Sequence, residues 1–261
     1  MDKAVKIDTN KCIGCGLCVA DCPYHALSLQ NKKSTVIKSQ CLFCGHCEAI
    51  CPKNAITIQG YDQSQIIKNN NESLNYDDLM NHIKLHRTIR HYSSKEIEKE
   101  KIDQIIQAGR YSKTGSNSQN VRYIVLDKDI DNIEKLGIKQ YKKLKMITTP
   151  FRPFLKPAKA LASQKLEKGF LFCGSRKVIL VVSKNKVNAS LAASNMELAA
   201  ESLGLGILYT GLFIRVANAK KIRKALGIKG KERIVVGLAL GYPASRYQRS
   251  TYKDQANISE Y

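Results

Sequence analysis

No stretch of this 261-residue sequence is apolar for long enough to cross a membrane. A helical span needs about 20 such residues. The longest charge-free apolar run, SLGLGILYTGLFI between Glu201 and Arg215, falls short of that. The opening MDKAVKID has no apolar core of the kind a secretion signal requires. These two absences argue for a cytoplasmic protein without membrane contact. Acidic residues are also scarce: 22 Asp and Glu stand against 43 Lys and Arg, a formal net charge of +21. The imbalance is uneven. Residues 1 to 60 hold seven Lys and four acids, or +3, and the remainder holds 36 basic and 18 acidic residues, or +18. Such an excess is compatible with solvated lysine faces, an acidic electron-donor protein, an anionic cofactor or nucleic acid. Nucleic acid is the weakest of these readings, because the basic residues are spread along the chain and not gathered in one arm. The length allows one large domain or two modest ones of ordinary globular composition.

Cysteine is what the sequence has in excess. Nine cysteines in a cytoplasmic chain argue for metal or redox chemistry and not for disulfides. Eight of them fall in two matched runs, CIGCGLCVADCP (12–23) and CLFCGHCEAICP (41–52). Each run reads C-x2-C-x2-C-x3-C-P, and the second begins 29 positions after the first. Four thiolates suit the tetrahedral iron of an iron–sulfur cluster. Three closely spaced cysteines wrap one corner of a cube, and proline turns the chain away after the fourth. In this motif the fourth cysteine ligates the other cluster. Cys12, Cys15, Cys18 and Cys51 are thus expected to hold one 4Fe–4S cluster, and Cys41, Cys44, Cys47 and Cys22 the second. Gly14, Gly16 and Gly45 let the backbone approach the clusters. Short apolar segments beside each run, AVKID, ALSLQ, TVIKS and AITIQ, read as small strands. A pair of zinc sites is the competing reading, but zinc sites use paired knuckles and not triplets followed by Cys-Pro. Residues 1 to about 60 resemble bacterial-type two-cluster ferredoxins. His25 and His46 lie near the cysteines and are read as surface residues.

Residues 61–76 are polar and rich in Asn and Gln, as in a linker. From 77 onward the pattern alternates. KEIEKEKIDQIIQAG (95–109) carries Ile97, Ile102, Ile105 and Ile106 at near-helical spacing, whereas VRYIVLD (121–127), KVILVVS (177–183) and RIVVGLALGYP (233–243) read as strands. NASLAASNMELAAESLG (188–204) predicts a helix capped at Asn188 and stopped at Gly204, with enough Ala and Ser to let another backbone pack closely. The whole predicts an α+β chain: a ferredoxin-like domain at 1–60, a linker at 61–76, and a sandwich of mixed sheet and helices at 77–261.

Three stretches of the second domain carry chemistry. HRTIRHY (86–92) places Arg87 and Arg90 around Thr88, where guanidinium forks and a hydroxyl can grip a phosphate. YSKTGSNSQN (111–120) offers Ser116, Asn117 and Gln119, whose amides can both donate and accept. LGLGILYTGLF brings Thr210 and Gly211, and LGYPASRYQRS brings Arg246 and Arg249 past a strand end. In this order and spacing, HRTIR, SNSQN, ELAAESLGLG and LGYP resemble the nitroreductase family of flavin enzymes over residues 78 to about 250. The resemblance implies FMN. By position, His86, Arg87, Thr88 and Arg90 would hold its phosphate and ribityl chain, and Ser116, Asn117 and Gln119 would meet the ring edge. Thr210 and Gly211 would lie near the reactive nitrogen, and Arg246 and Arg249 would add phosphate contacts. No side chain is expected to act as a catalytic acid or base. The sequence departs from the family in having His at 86, Thr at 88 and no proline and tryptophan after Gln119. The resemblance further implies a homodimer with FMN at the interface, suited to the small-residue helix at 189–203. It also implies a variable cover over the flavin face from about 137 to 176.

The expected function is thus that of an oxidoreductase passing electrons from two 4Fe–4S clusters through FMN to a small organic acceptor, such as a nitroaromatic or a quinone. An acidic redox protein such as a ferredoxin is a candidate donor. The competing readings are an iron–sulfur carrier or sensor without flavin, and an iron–sulfur protein that binds nucleic acid. Cys173, in apolar FLFCGS, is read as a buried inert thiol.

Overall fold

The computed structural model describes residues 3–37, 41–70, 72–148, 163 and 165–261. They divide into two compact units. The first comprises residues 1–73 together with 115–118, and the second comprises 74–114 and 119–261.

The first unit is built on the sequence repeat. Strand β1 (Ala4–Ile7) pairs antiparallel with β4 (Ile56–Gln59), and β2 (Leu27–Gln30) with β3 (Lys33–Val36). Asn31 and Lys32, both at positive φ, close the β2–β3 hairpin, as a two-residue turn between right-twisted strands requires. Two one-turn helices, α1 (Leu17–Ala20) and α2 (His46–Ala49), each start from a left-handed glycine, Gly16 at φ 78° and Gly45 at φ 84°. Val5, Leu27, Ile56 and Ile58 form a small core together with Cys18 and Cys47. So little apolar area leaves the unit dependent on its metal groups for stability.

The second unit starts with α3 (Tyr76–Leu85) and α4 (Lys99–Arg110). Then come β5 (Arg122–Leu126), α5 (Ile130–Thr148), β6 (Lys177–Ser183) and α6 (Lys186–Ser202). It continues through β7 (Gly206–Tyr209), α7 (Gly211–Ala217), α8 (Lys220–Ala225) and β8 (Arg233–Gly241). The sheet order is β5-β6-β8-β7. All three pairings are antiparallel, so the sheet expected to be mixed is antiparallel among the described residues. The physical centre is β6. Val178, Leu180 and Val182 face one core cluster with Phe172 and Phe213. Ile179 and Val181 face the other with Ile105, Met196 and the alanines of α6. A strand buried on both faces reads as a continuous apolar run, which is why KVILVVS was legible.

Two helices differ from expectation. The cap of α6 is Asn185, whose side chain accepts from the amides of Val187 and Asn188. Asn188 lies inside the helix, 2% exposed, and its Nδ2 donates to Asn120 Oδ1 at 3.0 Å. The alanine face of α6 is occupied within the unit. A Cβ at Gly109 of α4 would stand 2.8 Å from Met196, so that glycine permits the close packing. The other difference is α5, which runs into the start of the cover expected at 137–176. Its buried face is Ile133, Gly137 and Tyr141, one turn apart. The pattern is masked by Glu134, which is 5% exposed and accepts the amides of Gly169, Leu171 and Phe172 at 2.9, 2.9 and 3.2 Å. A carboxylate satisfied by three N–H groups can be buried. The central part of the expected cover, residues 149–162, lies outside the described residues.

Phe213 is fully buried, with its ring centroid 5.0 Å from that of Phe172. Phe213→Ala should lower the unfolding free energy by about 3–5 kcal/mol, measured by denaturant titration followed in far-ultraviolet circular dichroism. The iron content should stay at wild-type level.

Candidate functional site

In the first unit the cysteines gather in two groups, each lining its own cavity. One cavity is bounded by Cys12, Cys15, Cys18 and Cys51, with Gly14, Gly16 and Ser34. The other is bounded by Cys22, Cys41, Cys44 and Cys47, with Leu42 and His46. Each fourth cysteine lies with the triplet of the opposite run. Backbone amides turn toward sulfur in matching fashion: Ala26 N to Cys22 Sγ at 3.4 Å and Ala55 N to Cys51 Sγ at 3.2 Å, 29 residues apart. Ser34 N to Cys12 Sγ at 3.5 Å and Phe43 N to Cys41 Sγ at 3.3 Å add two more. Such bonds stabilise thiolate and raise the potential of a cluster held there. The Ser34 and Gly14 amides, with Lys33, hold the Cys12 thiol below its ordinary pKa. Burial pushes the Cys47 thiol up to about 11, and binding a metal there displaces its proton to solvent. Every cysteine is free of disulfide. His25 and His46 are exposed.

The loops are not identical. Gly14 sits at φ 71°, and a Cβ there would come within 2.1 Å of the Lys32 carbonyl oxygen. Its counterpart in the second run, Phe43, adopts φ 52° with its side chain packed on the unit's core. Glycine is obligatory in the first loop and replaceable in the second.

In the second unit the arginine-bearing segment 86–92 is pinned to the sheet. Ile89 N donates to Ile207 O of β7 at 2.9 Å. Tyr92 bridges to Pro243, and its hydroxyl lies 2.9 Å from Ile89 O and 3.1 Å from Ala239 O. Two glycines make this approach possible. A Cβ at Gly206 would meet Ile89 at 2.3 Å, and one at Gly241 would meet the Tyr92 ring at 2.4 Å. HRTIR, the second glycine of GLG and the glycine of LGYP therefore come together in one place. There the Arg87 guanidinium is held with Nε and Nη2 buried and without a hydrogen-bond partner. Nη1 donates to the His86 carbonyl oxygen, a neutral acceptor. Leaving the other two buried donors of a cation unpaired is costly, and an anionic group is their natural partner. This orphaned fork fits the phosphate of FMN.

The other expected contacts are placed differently. Thr88 and Arg90 are exposed on the same segment, and Arg246 and Arg249 are exposed beyond β8. Thr210 is 2% exposed, and its hydroxyl donates to Gly237 O at 3.1 Å. Its side chain thus anchors the start of α7, and Gly211, exposed at the first position of that helix, has an amide with no intrahelical acceptor. Residues 115–118 belong to the first unit, where Asn117 Nδ2 donates to Leu42 O at 3.1 Å and Phe43 O at 3.0 Å. Ser116, Asn117 and Gln119 all adopt positive φ. Left-handed backbone at three non-glycine residues of one loop is stored strain of the kind concentrated at functional sites. His86 caps α3 and turns toward Glu201, with Nε2 at 2.6 Å from Oε2. Burial holds the His86 imidazole below its ordinary pKa, and burial together with Glu197 raises the Glu201 carboxyl to about 7. His82 and Glu201, which complete that group, carried no signal in the sequence reading. Cys173 is half-buried at φ 51°, and burial pushes its thiol up.

Residues 83–242 match the model of the nitroreductase family, which is more than half of the chain. The chain belongs to the nitroreductase family. Residues 11–55 match the model of a 4Fe–4S dicluster domain, so this nitroreductase-family oxidoreductase carries two 4Fe–4S clusters on a ferredoxin-type unit. Among curated relatives, a protein of Archaeoglobus fulgidus provisionally named NADH dehydrogenase/NAD(P)H nitroreductase is 27% identical over 158 residues, covering 60% of this chain and 80% of that one. One of Methanothermobacter thermautotrophicus with the same provisional name is 25% identical over 167 residues, covering 64% and 78%. Among solved structures, an FMN-bound nitroreductase of Bacteroides fragilis aligns with TM-score 0.57 at 18% identity, covering 70% of this chain and 99% of that one. An FMN-bound nitroreductase of Desulfitobacterium hafniense aligns with the same score and identity over 72% and 100%. These likenesses establish the nitroreductase fold. No helix among the described residues is long and apolar enough to cross a membrane.

The cavity linings make crossed ligation testable with paired substitutions. Cys15→Ala with Cys51→Ala removes two ligands of one cluster and should leave about four irons per chain. Cys15→Ala with Cys22→Ala removes one ligand from each cluster and should deplete both. Iron and acid-labile sulfide assays on anaerobically purified protein read the difference. The reverse pattern would show that each run keeps its own cluster.

Proposed function

We propose that this nitroreductase-family protein binds FMN and passes electrons from its two 4Fe–4S clusters through the flavin to a small organic acceptor, a nitroaromatic or a quinone. The observation that carries the reading is the half-buried Arg87 guanidinium, whose Nη1 donates to the His86 carbonyl oxygen while its buried Nε and Nη2 have no partner, at the meeting point of three family motifs in a chain that also holds two four-cysteine cavities. Clusters exchange single electrons, and FMN, when bound, converts between one- and two-electron transfer. The chain's residues bind and orient. Arg87 supplies a charge-assisted fork to the phosphate, with Thr88 and Arg90 beside it on the same segment. The first-turn amides of α7 at Gly211 offer donors to the ring, and Arg246 and Arg249 add positive charge past β8. In this reading the strained loop with Ser116, Asn117 and Gln119 serves the ring edge, and His86 lies at the margin of the phosphate site. No side chain acts as an essential acid or base.

Two further parts belong to the proposal. The +18 charge of residues 61–261 favours an acidic donor such as a ferredoxin, by steering its approach. Nine free cysteines suit a reducing compartment such as the cytoplasm. The curated relatives' names and the FMN in the solved neighbours support the activity and the cofactor. A homodimer with flavin at the interface completes the reading.

Anaerobically purified protein should hold about eight irons and about one FMN per chain. Eight irons with no flavin, even after FMN is added back, would leave an electron carrier in place of the enzyme. Arg87→Ala should weaken FMN binding about 10- to 100-fold, the loss of one charge-assisted bond of about 1.5–3 kcal/mol. The exposed Arg246→Ala should change it far less. Fluorescence titration of free FMN measures both, and an unchanged affinity in Arg87→Ala would remove that residue from the site.

A further inference from the structure

The second unit brings together two imidazoles and a carboxylate, of which the flavin reading touches only His86. His82 lies in the last turn of α3, and His86, four residues on, is its C-cap. Positions four apart share a helix face. Glu201 lies in the last turn of α6. His82 Nε2 is 3.3 Å and His86 Nε2 is 2.6 Å from the same oxygen, Glu201 Oε2. One ligand atom from each residue lies within 4.8 Å of the other two. The rings meet edge to face, 4.9 Å between centroids at 86°, so their nitrogens converge without stacking.

The contact between His86 and Glu201 is not a formed hydrogen bond. Nε2 is buried and has no partner of acceptable direction, although the carboxylate oxygen is 2.6 Å away. The 3.3 Å between His82 Nε2 and Glu201 Oε2 is about the spacing of two ligands of one tetrahedral ion, and the 2.6 Å at His86 is shorter, so His86 Nε2 and the carboxylate oxygen part by roughly half an ångström when an ion binds between them. Glu197, one turn before Glu201, adds negative charge to the surroundings of His86 and Glu201 and accepts from the Tyr209 hydroxyl at 3.0 Å. Arg87 is the cation that faces His86 from the neighbouring position. The group is 15–39% exposed by side chain, so an ion can reach it from solvent.

We propose that His82 Nε2, His86 Nε2 and Glu201 Oε2 form a binding site for a divalent transition-metal ion of the zinc class. Two neutral imidazoles and one carboxylate are a borderline donor set, suited to zinc or ferrous iron and poorly suited to calcium or magnesium. Three protein ligands leave a fourth position for water or an anion, as in open zinc sites. The ion ties the end of α3 to the end of α6, directly before the segment that carries Arg87. The inference does not draw on the flavin reading, and it stands or falls with the metal alone.

The test uses zinc on the full chain with both clusters reconstituted, so that the eight cluster cysteines are engaged with iron. After incubation with Zn2+ and desalting, about one zinc per chain should remain, and zinc-edge X-ray absorption should show only nitrogen and oxygen neighbours at about 2.0–2.1 Å. Loss of an outer-sphere partner costs a metal site 10- to 100-fold in affinity. Loss of a ligand, in His82→Ala or separately in Glu201→Gln, should therefore lower zinc affinity by more than about 100-fold in competition with a chelating dye. His82 is partly exposed, so its replacement tests the site without disturbing the core. Three outcomes overturn the proposal: no zinc retained, sulfur in the zinc shell, or an affinity unchanged in both variants. In each of those cases the trio is not a metal site.

Discussion

The close approach of backbone to side chain at Gly206 and Gly241 is the constraint on which the second unit's chemistry depends. Neither position has room for a methyl group, because Ile89 and Tyr92 stand where it would be. The segment between α3 and α4 can therefore lie directly on the edge formed by β7 and the end of β8, clipped by the Ile89–Ile207 bond and the Tyr92–Pro243 bridge. Arg87 follows from this geometry. Its Nε and Nη2 are carried into a buried place where the protein leaves them unpaired, while Nη1 donates to the His86 carbonyl oxygen. A folded chain tolerates such a cation when something bound completes it.

The sheet provides the rigidity that this placement requires. With β6 buried on both faces, between the Phe172–Phe213 cluster and the alanine face of α6, neither layer can move without opening a void. The small residues of α6 serve that packing. They let α4 and the sheet come close within one unit, so they are not by themselves evidence for a partner.

The first unit works by another economy. Its apolar core is small, and its loops are arranged around sulfur by repeated amide bonds and left-handed glycines. The repeat is close but not strict. Gly14 has to be glycine because the Lys32 carbonyl crowds it, whereas Phe43 at the equivalent place is free to contribute to the core. Two copies of one motif have thus diverged where their surroundings differ.

By itself the sequence determined the 4Fe–4S character of the two cysteine runs, the strands at 121–127, 177–183 and 233–243, and the family. Each of these is a local matter: cysteine spacing, a run of β-branched residues, a few short motifs in order. What only the tertiary structure decided is which polar groups meet. Glu134 is buried because three amides from residues 169–172 reach it, and that hid α5. Asn185 caps α6, and Asn188, inside the helix, donates to Asn120. The hydroxyl of Thr210 is spent on Gly237, and His86 turns to Glu201, more than a hundred residues away. A side chain's spacing in sequence says which face it occupies. Its partner depends on chain crossings that no local pattern encodes, and that is why the unpaired Nε and Nη2 of Arg87 and the His82–His86–Glu201 group became visible only once the chain was folded.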